Sequence, residues 1–167
     1  MTLIEKLIVE PSEETTELLF EDESLVFWVD WREDDSVLAE YCDSIIKTNK
    51  LSSHWKGDEL IVQYGEISKK VPLTLSGSDR HITLLTINEI LDPDYEVRMV
   101  WDSDGGDTLA FTILSTHLWC ELESKFGVQP VSKAFLRLTS DLNTFTDPLH
   151  KHRPGTKSKG KWWEFWK

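Results

Sequence analysis

The sequence predicts an α+β fold: a mainly antiparallel sheet in a β-αββ-αββ order, helices packed on one face, and two helices after it. Three observations carry this reading. Short runs of alternating apolar residues come in pairs around glycine-bearing turns, as hairpins require. Between the pairs the apolar spacing changes to three and four, the period of a helix with one buried side. Hydrophobic residues make up 40% of the 167 residues and charged ones 29%, which suits one packed domain and argues against disorder.

The elements follow in order. Residues 25–31, rich in β-branched and aromatic side chains, read as a strand. Asp34 and Asp35 place acids where a helix N-terminus favours them. Val37, Leu38, Tyr41, Cys42, Ile45 and Ile46 then line one helical face. Residues 51–58 look like a loop. Leu60, Val62 and Tyr64 alternate, as do Val71, Leu73 and Leu75, predicting a hairpin that turns at Tyr64, Gly65 and Glu66. Residues 76–79 break it and cap a helix carrying Leu84, Ile87, Ile90 and Leu91, which Asp92 and Pro93 stop. Tyr95, Val97, Met99 and Trp101 alternate, the turn 102–107 follows, and Leu109, Phe111 and Ile113 alternate beyond it. Ser115 or Thr116 caps a helix with Leu118, Trp119, Leu122 and Phe126, and Gly127 is placed to end it. Pro130 opens a last helix with Val131, Ala134, Phe135, Leu138 and Leu142 on one side.

Residues 1–149 therefore read as one α+β domain, in which residues 1–24 are an acidic stretch, a short helix or strand and then a connector. From His150 the composition shifts to Gly, Pro, Ser and Lys with no apolar period, ending in an aromatic cluster. Residues 150–167 thus read as a flexible, basic, Trp-rich tail.

The net charge of −12 is uneven. Residues 1–43 hold 14 acids and 2 bases, residues 44–149 hold 15 and 10, and residues 150–167 hold 1 and 6. A body this acidic disfavours nucleic acid and anionic membranes as primary ligands, because both demand a basic face. No run approaches the ~20 apolar residues of a membrane span. The N-terminal residues lack the long apolar core of a signal peptide, so a cytoplasmic location is expected. Cys42 and Cys120 sit among apolar residues in predicted helices and read as reduced, partly buried thiols.

The turn 102–107 invites a calcium reading through Asp102, Asp104 and Asp107. An EF-hand loop, however, needs an oxygen ligand at position 5, Gly at 6 and Glu at 12, where this chain has Gly106, Asp107 and Ile113. The histidines His54, His81, His117, His150 and His152 show no zinc-ligand spacing, and His81 and His117, in first helical turns, read as exposed. No nucleophile, phosphate-loop or metalloprotease motif is present, so no cofactor or metal is assigned and no enzymatic activity is expected. The acidic runs carry the functional signal. Asp30, Glu33, Asp34 and Asp35 flank Trp28 and Trp31, a composition suited to docking a basic protein, with carboxylates steering and indoles anchoring. Asp102, Asp104 and Asp107 form a second acidic prong. In the tail, Trp162, Trp163, Phe165 and Trp166 have three open roles: none, contact with the chain's own acidic face, or contact with a membrane surface or protein groove.

Taken together, the acidity, size, Trp content and element order of residues 1–149 resemble the bacterial immunity proteins that neutralise polymorphic or contact-dependent-inhibition toxins. The resemblance implies a stoichiometric inhibitor of a cognate, basic toxin domain. It includes no diagnostic motif, so it carries over no functional residue. An acidic secretion chaperone or adaptor is similar in size, acidity and helix–hairpin order, and is the alternative. A small-ligand or metal-dependent enzyme using Asp102, Asp104 and Asp107 is the third reading.

Overall fold

The computed structural model describes residues 1–155. Two short helices, α1 (Leu3–Val9) and α2 (Glu13–Phe20), lead into β1 (Val26–Asp30). A single 3-10 turn, Asp35–Val37, then opens α3 (Leu38–Ile46). The strands β2 (Leu51–Lys56), β3 (Glu59–Tyr64) and β4 (Ile67–Lys70) precede α4 (Asp79–Leu91). Next come β5 (Tyr95–Val100), β6 (Thr108–Ser115), α5 (Thr116–Phe126), α6 (Val128–Ala134) and β7 (Phe135–Arg137). The fold is α+β with antiparallel pairing throughout. The strands are divided between two sheets, of order β1-β6-β5-β7 and β2-β3-β4.

The expected arrangement of helices on one face is corrected by the structure: both faces of the four-stranded sheet are covered. On one side Phe27, Val29, Met99 and Phe111 pack against Leu84 and Ile87 of α4 and against the three-stranded sheet. On the other, Val26, Val100 and Ala110 meet a second core of Leu7, Leu19, Trp119 and Phe135 from α1, α2, α5 and β7. The reason lies in the residues between the alternating ones. Arg98, Val100, Ala110 and Thr112 are themselves buried, so β5 and β6 lie between two packed layers.

Local differences have equally plain causes. Residues 51–56 form β2, not a loop. Of its six residues only Leu51 is fully buried, so the strand is held by backbone pairing with β3 and leaves no apolar alternation. The partner of β3 is 67–70, not 71–75: β4 is exposed along its whole length, while Val71 tucks into the core. The last helix starts at Val128 and stops at Ala134, because Phe135 turns extended and pairs with Val100 on the free side of β5. Residues 1–24 are two helices. A reciprocal capping box between Thr2 and Glu5 starts α1, and the Ser12 side chain, accepting from the Thr15 N–H, starts α2. Among the described residues no helix is long and apolar enough to cross a membrane.

Candidate functional site

The antiparallel register of β1 and β6 determines which acids meet. Asp30 pairs with Thr108, so the chain leaves β1 directly beside the β5–β6 turn, and the Trp31 N–H reaches the Asp107 carbonyl at 3.4 Å. The turn itself needs a residue at positive φ, which Gly105 supplies at +97°. Two acidic stretches some seventy residues apart in sequence are thereby brought together at one end of the sheet.

Residues 31–35 are fixed there by one guanidinium. Arg80, near the start of α4, donates from Nη1 to the Trp31 carbonyl at 3.0 Å and to the Glu33 carbonyl at 3.2 Å. Its Nη2 reaches the Ser76 carbonyl at 3.3 Å and the Asp35 carboxylate at 3.3 Å. Asp30 accepts from the Arg32 N–H at 2.8 Å, which holds its carboxyl below the ordinary range. Asp34 accepts from the backbone and hydroxyl of Ser36, and its carboxyl is lowered in turn, with a smaller contribution from the Trp55 side chain.

Asp35 points the other way. It is 8% exposed, paired with Arg80 and accepting from Thr83 Oγ1, and burial pushes its carboxyl up against the pull of Arg80. Expected as a surface contact, Asp35 is a buried strut. Its place in the 3-10 turn just before α3 turns the side chain toward α4.

Around Trp31, itself about half exposed at 48%, lies a shallow depression of about 370 Å³. Asp104 and Asp107 line it from the β5–β6 turn, and Thr144, Phe145 and Asp147 line it from the segment after β7. Phe145 is stacked on Phe111 of the core, with ring centroids 6.0 Å apart. Thr144 is tied to His81, whose Nδ1 accepts from the Thr144 N–H at 3.3 Å and whose Nε2 faces the Thr139 carbonyl at 2.8 Å. His81 is therefore 2% exposed, contrary to the sequence expectation.

The remaining candidates separate from this cluster. Trp28 lies on the other face of the sheet, edge-on to Phe20 at 4.8 Å, with 38% of its surface exposed. Asp102 leaves the turn for a 3-10 segment, where it accepts from Thr16 Oγ1 and pairs with Arg153 at 2.5 Å. Asp102, Asp104 and Asp107 do not converge, and among the described residues no group of three His, Cys, Asp or Glu is placed to hold a metal ion. Trp162, Trp163, Phe165 and Trp166 lie outside the described residues.

No known protein family, curated protein or solved structure matches the chain.

Sequence reasoning missed Arg80, His81 and Asp147. Nothing local marks any of them: Arg80 and His81 look like ordinary first-turn residues of a helix, and Asp147 lies in an irregular stretch. Arg80 is fixed by carbonyls 47 and 49 residues away and His81 by groups 58 and 63 residues away, while Asp147 is held by Asn143, which itself reaches Ser78 across 65 residues.

Proposed function

We propose that this chain is a non-enzymatic binding protein. Its acidic end around Trp31 docks a basic protein, and it acts as an immunity protein does, by stoichiometric capture of a toxin domain. The observation that carries this reading is the company of Trp31. The half-exposed Trp31, with the Arg32 guanidinium 5.2 Å from its ring centre, shares its depression with Asp104, Asp107 and Asp147, and the pinned segment that carries it also holds Asp30, Glu33 and Asp34. Of these only Asp30 forms an ion pair among the described residues, with Arg32. Such an end attracts cations at long range and offers an aromatic anchor at short range. Because Arg80 and His81 hold both bordering segments, little ordering cost is left for the moment of binding.

The test is co-expression with the product of the adjacent gene. A 1:1 complex that restores growth is the expected result. Trp31→Ala should then weaken binding by at least about 2 kcal/mol, roughly thirtyfold in Kd. The triple variant Glu33→Gln, Asp104→Asn, Asp107→Asn should slow association about tenfold at low salt and flatten its salt dependence. Absence of both complex and rescue would overturn the immunity reading. A dimer by light scattering that binds an extended client would point to the chaperone reading instead.

A further inference from the structure

The turn that leads into α4 holds a residue that neither water nor its own backbone favours. Leu75 is 89% exposed, more than any other large apolar side chain among the described residues, and it stands at φ +59°. That region crowds any side chain beyond glycine, and asparagine tolerates it best. The other described non-glycine residues at positive φ are Lys47 and Asn49, both polar. A solvated turn here calls for Gly or Asn, and an apolar residue calls for a core that Leu75 does not reach. The posture is imposed from below. Asp79, 2% exposed, accepts the Thr74 and Leu75 N–H groups at 2.8 Å each, the Ser76 N–H at 3.3 Å and the Thr74 hydroxyl at 2.7 Å. Local conflicts that the surroundings enforce collect where a protein meets its ligands.

This turn abuts both borders of the depression around Trp31. On one side a single guanidinium, that of Arg80, donates to the Ser76 carbonyl at 3.3 Å and to the Trp31 carbonyl at 3.0 Å. On the other, Asn143 Nδ2 donates to the Ser78 carbonyl at 3.2 Å, and the Thr146 methyl lies 3.9 Å from the place a Cβ on Gly77 would take. We infer that Leu75 is a second apolar anchor beside Trp31, and that both seat on a basic amphipathic segment of the partner. Large apolar side chains of that segment receive the leucine, and its flanking Lys or Arg residues meet the carboxylates. The inference rests on the docking of a basic protein at the Trp31 end, and adds a residue that selects among basic proteins. Charge chooses the occupant. Asp104, Asp107 and Asp147 line the depression and form no ion pair among the described residues. The arginines of this end are engaged, Arg32 with Asp30 and Arg80 with Asp35 and the carbonyls. A second copy of a chain of net charge −12 would be repelled from such a surface, whereas a basic segment is drawn to it.

The test uses random 16-residue peptides displayed on phage, selected against the intact chain and then synthesised. The expected result is enrichment of peptides that combine Lys or Arg with large apolar residues. Their Kd should rise about tenfold or more for Leu75→Asn and for Trp31→Ala, and stay within about twofold for Leu75→Met. Leu75→Asn should melt no lower than the parent chain, because asparagine accepts the positive φ and leaves no apolar surface in water. That separates a lost contact from a lost fold, and a lower Tm for Leu75→Asn would make the leucine a structural residue and overturn the proposal. Peptides weakened by Trp31→Ala but indifferent to Leu75→Asn would also overturn it, while docking at Trp31 would stand. Peptides indifferent to both variants, or no enrichment at all, would overturn the two together.

Discussion

His81 shows how one side chain can hold a surface in place. Burial lowers its pKa below the usual 6.5, against the opposing effects of the Thr139 carbonyl and the Asp147 carboxylate. Its Nδ1 accepts the Thr144 N–H, so the folded state keeps the ring neutral, with the proton on Nε2 toward Thr139. The unfolded chain therefore binds more protons than the folded one between the depressed pKa and 6.5. Stability is complete above that window and declines as the pH falls through it. Thermal melts from about pH 7.5 to about pH 5 should show this decline, and His81→Gln should flatten it. If both proteins decline alike, His81 is not the titrating group. Asp35 is a second residue whose burial the chain conceals. In the sequence it is one more acid beside Asp34, and adjacent aspartates with opposite fates cannot be told apart without the partner that buries one of them.

Elements were legible wherever their signals are local. The helix α5 is the clearest case. Ser115 was one of two candidate caps, and its Oγ accepts from the Leu118 N–H at 3.1 Å, while Gly127 ends the helix as expected. Ser115→Ala should cost about 1 kcal/mol. For a chain of this size that is about 2–4 °C in Tm, measurable by circular dichroism. A change below half a degree would show that the cap is dispensable. Elements held by pairing alone were not legible. β2 and β4 bury little, so neither carries an apolar period, and β7 exists because β5 offers a free side to a chain that still reads as a helix. The β4 edge carries Lys69 and Lys70, paired with Glu89 and Glu59, which discourages further strand addition.

At the scale of the whole molecule the sheet is the middle of three layers, and Arg98 shows how the second core was built around charge. The side chain is 1% exposed, grips Glu96 with two nitrogens at 3.1 Å each, and reaches Glu123 of α5 at 2.8 Å. Its guanidinium lies 4.1 Å from the centre of the Trp119 ring. Arg137 of β7 joins both glutamates from outside, so two cations balance two anions and the network ties β5, β7 and α5 together. Arg98→Met would leave the two partly buried carboxylates short of a partner. The expected cost is about 3–5 kcal/mol in urea unfolding, with fluorescence and circular dichroism still following one transition because both cores share the sheet. Separate transitions for the two probes would mean the layers are independent.

The sequence by itself determined the fold class, the antiparallel strands with local periods, the capped helix α5 and the unequal spread of charge, because each of these depends on neighbours within a few residues. Only the tertiary structure decided that Asp35 and His81 are interior, that Arg98 is a core residue, and that Trp31 shares its surface with Asp104 and Asp107 while Trp28 does not. Those facts depend on strand register and on side chains tens of residues distant. A linear pattern holds the charges but not the pairings that bury some of them and leave the rest facing solvent.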